Sequence, residues 1–284
     1  MKLHLAQHYG MCFGVRDALR ATHTTAMRGP VTMLGQLVHN PVVTAHLKTL
    51  GVKTGRLEDA TSGTSAATKE VIITAHGASD SQRVALKKAG HQVTDTTCPL
   101  VRKAHTALNT LVQEGYHPVV IGQRDHAEVL GLIGDFPQAT VILKNADLEL
   151  IPRHHKLGVI SQTTQPLDHV LHLIESLKQQ HSDAEVRFID TVCHPTKQRQ
   201  TALEELCQQC ELVIIIGGRN SNNTHQLTEK ATRLGVRAHQ IETAADLDPA
   251  WFHGIQDVGI TAGTSTLDET VRTVMERLKE ITHD

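Results

Sequence analysis

The chain has 284 residues, of which 39% are hydrophobic and 20% charged, and its formal net charge is −2. That is the balance of an ordinary globular protein, with enough material for one large core or several smaller ones. It excludes the strongly basic surface that nucleic acid or an anionic membrane selects, and no stretch approaches the roughly 18 apolar residues of a membrane span.

The N-terminus, Met1-Lys-Leu-His-Leu-Ala-Gln-His8, lacks the basic and apolar regions of a signal peptide, so a cytoplasmic location is expected. In that setting the five cysteines point to metal or redox chemistry rather than a disulfide framework. Aromatic residues are only 2% of the chain, which leaves the core to Val, Ile, Leu and Ala.

The first stretch opens with Leu3-His-Leu-Ala6 and then Gly10-Met-Cys12-Phe-Gly-Val15. A helix is expected next, with Val15, Ala18 and Leu19 on one face. The β-like run Val31–Leu34 ends in Gly35 and His39, a second helix spans Val42 to Leu50, and Val71–Ile73 ends in Thr74-Ala-His76-Gly77. Residues 60–69, rich in Thr, Ser and Ala, read as a loop.

The order then repeats. Cys98-Pro99 begins a helix carrying Val101, Ala104, Leu108, Leu111 and Val112, with Pro suited to its first turn. Val119–Ile121 ends in Gly122 and His126-Ala-Glu128, and Leu157–Ile160 ends in Ser161-Gln-Thr163-Thr164. A third round runs from Cys193-His-Pro195 through a helix with Ala202, Leu203, Leu206 and Cys210. Its strands are Leu212–Ile216, ending in Gly217 and Ser221-Asn222-Asn223, and Val258–Ile260, ending in Thr261-Ala-Gly-Thr-Ser265.

Measured from each cysteine, the strand-ending glycines Gly35, Gly122 and Gly217 fall within one residue of the same offset. Four residues after each glycine comes a polar side chain: His39, His126, Ser221. A repeat of about ninety residues follows, with units at 1–97, 98–192 and 193–284. Strands alternating with helices make each an α/β unit with a parallel sheet, and ligand sites of such sheets lie beyond the strands' carboxyl ends. The expected architecture is three α/β domains related by a pseudo-threefold axis, a trefoil around one central site.

Cys12, Cys98 and Cys193 each precede a helix, whose positive end favours thiolate. Three thiolates suit zinc or three corners of a [4Fe–4S] cluster, and from spacing alone both remain open beside plain buried thiols. Cys207 and Cys210 form a C-x-x-C, but at helical spacing with Leu203 and Leu206 they read as small hydrophobes of a helix face. His39, His76, His126, Ser221, Asn222, Asn223 and Ser265 offer imidazoles, hydroxyls and amides suited to an oxyanion such as phosphate. Neither a Walker loop nor a dinucleotide fingerprint is present. Glu128 is the one carboxylate among the strand-end groups; enclosed, it would become a proton donor, while exposed it would be an ordinary first-turn helix residue.

Several motifs resemble those of the LytB/IspH family of 4-hydroxy-3-methylbut-2-enyl diphosphate reductases. These are Gly10-Met-Cys12-Phe-Gly-Val15, Val38-His39-Asn40, Thr74-Ala-His76-Gly77, Asp95-Thr-Thr-Cys98-Pro and His126-Ala-Glu128-Val. Ser161-Gln-Thr163-Thr164, Cys193 through Arg199-Gln200, Asn220-Ser-Asn-Asn223 and Thr261-Ala-Gly-Thr-Ser265 continue the match in order, over essentially the whole chain.

The resemblance implies that Cys12, Cys98 and Cys193 hold a [4Fe–4S] cluster with one iron not ligated by protein, which takes the substrate hydroxyl. By the same resemblance His39, His76, His126, Ser221, Asn222, Asn223 and Ser265 bind the diphosphate. Glu128 delivers protons, Thr163 positions it, and ferredoxin or flavodoxin supplies electrons. Met11, Asp17, Ala127, Pro195 and Leu267 depart from the family pattern, all beside the site residues and not at them. A paralogue acting on another allylic diphosphate, and a non-catalytic iron–sulfur sensor, are the alternative readings.

Overall fold

The computed structural model describes residues 1–62 and 68–281. From the N-terminus come β1 (Lys2–Leu5), α1 (Phe13–Ala26), β2 (Val31–Leu34), α2 (Pro41–Thr49), β3 (Lys53–Gly55), α3 (Leu57–Ser62) and β4 (Glu70–Ile73). Next are α4 (Asp80–Lys88), β5 (Gln92–Asp95), α5 (Pro99–Gln113), β6 (His117–Ile121), α6 (Ala127–Ile133), β7 (Thr140–Ile142) and β8 (Lys156–Ser161). The chain ends with α7 (Leu167–Gln180), β9 (Glu185–Phe188), α8 (His194–Cys207), β10 (Leu212–Ile216), α9 (Asn222–Arg233), β11 (Arg237–Ile241), β12 (Asp257–Ala262) and α10 (Asp268–Ile281). Within the stretch expected to be a loop, 60–69, the chain is helical as far as Ser62, and residues 63–67 lie outside the described residues.

Two compact units result. One comprises Met1–Val15, Val38–Thr44 and His194–Asp284, the other Arg16–Leu37 and Ala45–Cys193. The second unit carries two four-stranded sheets, β3-β2-β4-β5 and β7-β6-β8-β9; the first carries β11-β10-β12-β1. Every pairing is parallel. The expected α/β class and its three parallel sheets are therefore present. The three strand orders coincide once β1, from the opposite end of the chain, takes the fourth place in the last sheet.

Central strands are largely apolar and buried because both faces are covered by helices. All five residues of β10 are buried. Leu212, Ile214 and Ile216 pack with Val271, Val274 and Leu278 of α10. Val213 and Ile215 face Leu203 and Leu206 of α8 and Leu227 of α9 on the other side. In β6, Val119 and Ile121 meet Val170, Leu173 and Leu177 of α7, while Val120 meets Ala104, Leu108 and Leu111 of α5. Each such side chain contributes roughly 1.5–3 kcal/mol by leaving water.

Edge strands β5 (Gln-Val-Thr-Asp) and β9 (Glu-Val-Arg-Phe) are half-exposed and mixed in polarity, which is why no apolar run marked them. Among the described residues no helix is long and apolar enough to cross a membrane.

β1 covers one edge of β12, with Lys2 opposite Asp257 and Leu5 opposite Ile260. Deleting residues 1–6 leaves that edge unpaired, so the truncated chain is expected to melt at lower temperature and to aggregate. A melting temperature equal to that of the full chain would show that β1 contributes nothing to the sheet.

Candidate active site

Each of Cys12, Cys98 and Cys193 follows an edge strand (β1, β5 and β9) and precedes a helix (α1, α5 and α8). Their backbone contacts repeat. The Cys98 N–H donates to the carbonyl of Ala75, two residues past the end of β4, at 3.1 Å. The Cys193 N–H donates to Thr163, two past β8, and the Cys12 N–H to Thr264, two past β12, both at 2.9 Å. So each cysteine is bonded to the turn that ends the strand beside its own.

The segments leading to two of the cysteines share a second feature. The Asp95 carboxylate accepts from the Thr97 N–H and that of Asp190 from the Val192 N–H, both at 3.0 Å, two Asx turns that bend the chain toward the thiol. Asp95 also pairs with Arg83 at 2.9 Å and Arg102 at 3.0 Å; burial opposes its ionisation, but the hydrogen bonds from Thr97 and then the Arg83 guanidinium hold its carboxyl below the ordinary range. Ahead of Cys12 stands Gly10 at φ 68°, in the left-handed region that glycine enters without strain. The buried Arg199 guanidinium donates to the carbonyls of Gly10 at 2.5 Å and Tyr9 at 3.3 Å, tying this segment to α8.

The donor set suits an iron–sulfur cluster. Three half-buried cysteines, none in a disulfide, each stand immediately before a helix, and thiolates are the ligands such clusters take. The other two cysteines lie elsewhere: Cys210 packs with Ala6, Leu203 and Leu206, and burial pushes its thiol up to about 11. Cys207, the last residue of α8, is raised too, again chiefly by burial. The hydrophobic reading of this C-x-x-C agrees with the packing, although Cys210 stands beyond the helix end.

Glu128, on the first turn of α6, is 2% exposed, so the exposed-helix reading is set aside. One carboxylate oxygen accepts from the Thr163 N–H at 2.6 Å and the other from the Thr163 hydroxyl at 2.9 Å. Burial raises its pKa to about 7 against the downward pull of these two bonds. Thr163 is the residue whose carbonyl receives the Cys193 N–H. Buried acid, threonine and cysteine thus form one bonded series.

His126 caps α6, its Nδ1 accepting from the Glu128 N–H at 3.1 Å, which leaves Nε2 as the donor of the neutral ring. The His76 ring meets it edge-on, centroids 5.2 Å apart.

The other unit holds His39, Ser221, Asn222, Asn223 and Ser265. The Asn40 side chain caps α2 through Val42 N–H at 2.9 Å and donates to the Ser265 carbonyl at 2.8 Å, clipping two strand-end loops together. Gly218 lies so close that a Cβ there would stand 2.2 Å from the His39 carbonyl oxygen. The Ser221 hydroxyl caps α9, and Asn223 Oδ1 accepts from the Thr264 N–H at 2.9 Å. Asn223 Nδ2 and Ser265 Oγ are buried with no hydrogen-bond partner among the described residues. His39 is held below the usual imidazole pKa by burial, which favours its neutral form. The roles of Asn40 and Gly218 left no signal in the sequence, whereas the two Asx turns are marked by the shared spelling of Asp95-Thr-Thr-Cys98 and Asp190-Thr-Val-Cys193.

A model of the LytB protein family matches residues 3–279. The 4-hydroxy-3-methylbut-2-enyl diphosphate reductase of Geobacter metallireducens is 36% identical over 99% of this chain and 98% of its own length. The solved E-1-hydroxy-2-methyl-but-2-enyl-4-diphosphate reductase of Plasmodium falciparum superposes with a TM-score of 0.90 at 28% identity, covering 98% of this chain and 87% of that one. A second solved structure, described as (E)-4-hydroxy-3-methyl-but-2-enyl diphosphate reductase, the terminal enzyme of the non-mevalonate pathway, gives 0.70 at 34% identity over 99% and 100% of the two chains.

Two outcomes follow from this geometry. Gly218→Ala forces the His39 loop away and is expected to cost about 1–3 kcal/mol, read by thermal unfolding; an unchanged melting temperature would refute the close approach. For Glu128 the folded pKa of about 7 exceeds the reference 4.5. Its stabilising contribution is therefore complete below 4.5 and is lost as pH rises through 7, by on the order of 3 kcal/mol. In metal-free protein Glu128→Gln should abolish that fall and be the more stable form at pH 8. A parallel pH dependence in both proteins would contradict the burial assigned to Glu128.

Proposed function

This chain belongs to the LytB family, and on that footing we propose that it reduces 4-hydroxy-3-methylbut-2-enyl diphosphate to isopentenyl and dimethylallyl diphosphate, the last step of non-mevalonate isoprenoid synthesis. The observation that carries the reading is Glu128: a buried carboxyl with a pKa of about 7, bonded through Thr163 to the Cys193 backbone. An acid with a pKa near the working pH combines adequate occupancy of the protonated form with driving force for transfer.

The reaction consumes two electrons and two protons: the carbon–oxygen bond breaks, the hydroxyl departs as water, and the allylic carbon framework takes the second proton. Cys12, Cys98 and Cys193 would hold a [4Fe–4S] cluster. When bound, this group supplies electrons singly and, lacking a fourth protein thiolate, an iron open to the substrate. All other work falls to the polypeptide. Ser265 Oγ and Asn223 Nδ2, buried donors with no acceptor among the described residues, suit the diphosphate oxygens. His39, His76, His126, Ser221 and Asn222 complete that binding set. His126 presents Nε2–H because Nδ1 is occupied by Glu128 N–H. Glu128 gives a proton to the departing hydroxyl, and Thr163 holds both carboxylate oxygens in place while this occurs. Electrons come from ferredoxin or flavodoxin in the cytoplasm.

Protein purified without oxygen should contain iron and acid-labile sulfide and, given this substrate and a chemical reductant, release both isoprenyl diphosphates. Zinc in place of sulfide, or no product, would contradict the reading. Glu128→Gln is expected to retain the cluster's absorbance and lose about 100-fold or more in kcat. In the wild type kcat should fall as pH rises through about 7, where Glu128 gives up its proton.

A further inference from the structure

We propose that Thr96 and Thr191 are positioning residues for the cluster, their hydroxyls latching the Cys98 and Cys193 turns to the ends of the neighbouring strands. This rests on the cluster reading above and extends it to groups that would touch neither cluster nor substrate.

Each threonine stands two residues before its cysteine. The Thr96 hydroxyl donates to the carbonyl of Ile73, last residue of β4, at 2.6 Å. The Thr191 hydroxyl donates to the carbonyl of Ser161, last residue of β8, also at 2.6 Å. Thr191 Oγ1 in turn accepts from the Ser161 N–H at 2.9 Å, so that hydroxyl closes a two-way clasp. Both side chains are buried, 8% and 9% exposed. Two residues on, the cysteine N–H makes its bond to the turn past the same strand.

Hydroxyl and amide therefore pin each segment at two points to one strand end, the Thr96 N–H sharing the Ile73 carbonyl with its own hydroxyl at 3.0 Å. Between them the Asx turn fixes the direction in which the chain leaves. The hydroxyl thus adds a buried side-chain bond to the amide bonds that hold the segment carrying each thiol.

The Cys12 segment does the same without a hydroxyl. There Gly10 stands in the threonine's place; its N–H donates to Ala262, last residue of β12, at 3.1 Å, and its carbonyl takes Arg199. Two hydroxyls and one backbone N–H thus bond the equivalent strand ends, and in the Cys12 segment Arg199 adds a tie to α8. Equivalent bonds made by unlike groups argue that the latch, not the threonine's bulk, is what the fold keeps. In metal sites, partners standing behind the ligands typically govern metal retention 10- to 100-fold.

The test compares Thr96→Val and Thr191→Val, which keep shape and lose the hydroxyl, with Thr96→Ser and Thr191→Ser, which keep the hydroxyl. Thr22→Val, a buried hydroxyl bonded within α1, serves as control. All are reconstituted anaerobically with iron and sulfide. The rate of bleaching in air, the electron paramagnetic resonance spectrum of the reduced protein and the melting temperature of the metal-free form are recorded.

The Val variants are expected to bleach about ten-fold faster with altered spectra, while the Ser variants and Thr22→Val behave as wild type. Wild-type bleaching in the Val variants would overturn the latch. So would Ser variants as labile as Val, because the methyl would then be the feature that matters. Should a Val variant not stay soluble, the Ala substitution replaces it in the comparison with Ser. Wild-type protein that takes up zinc and no sulfide removes the cluster reading itself, and the latch falls with it.

Discussion

The contact between Glu128 and Thr163 is the point on which the account turns. An ionised carboxylate 2% exposed to solvent is costly unless its oxygens are bonded. Thr163 supplies two bonds, from N–H and hydroxyl, enough to lower that cost and not enough to cancel it. The pKa settles at about 7 because burial and hydrogen bonding oppose each other. More donors would make a permanent carboxylate, and none would make an inert acid. Because Thr163 also receives the Cys193 N–H through its carbonyl, the buried acid and the Cys193 turn are positioned by the same residue.

That economy is a consequence of the fold. Each sheet ends its third strand in a turn whose carbonyl accepts from a cysteine arriving off the fourth strand. The cysteine then starts a helix, so the thiol stands where backbone N–H groups are unpaired and positive. Parallel strands bring all their carboxyl ends to one side, and polar side chains collect there without disturbing the apolar layers beneath. His126 and Ser221 follow this rule by capping the helices that leave their strands. The arrangement needs β1 as the fourth strand of the last sheet, so the first residues of the chain complete the place from which Cys12 is presented.

Much of this was legible in the amino-acid order. The bounds of β2 and β10 coincide with the β-like run Val31–Leu34 and the apolar run Leu212–Ile216, because strands covered on both faces are built mainly from apolar residues, Thr32 being the one exception in these two. Edge strands such as β5 and β9 left no such trace. The partner of β1 was hidden for a different reason: parallel pairing carries no local signal, and the two strands lie at opposite ends of the chain. Candidate site positions emerged from equal offsets past the strand-ending glycines. What separated Glu128 the acid from Glu128 the surface residue was burial, which depends on long-range packing. The Asp-Thr-x-Cys spelling was visible, but its meaning lay in carbonyls more than twenty residues away.

The central claim is that Glu128 stores a proton at neutral pH in a place tied to Cys193. Infrared difference spectroscopy of the wild-type protein and Glu128→Gln across a pH series tests it most directly. The account predicts one protonated-carboxyl band that disappears as pH rises through about 7 and is absent from the variant. A wild-type protein in which every carboxyl band is lost at the ordinary glutamate pKa would contradict it.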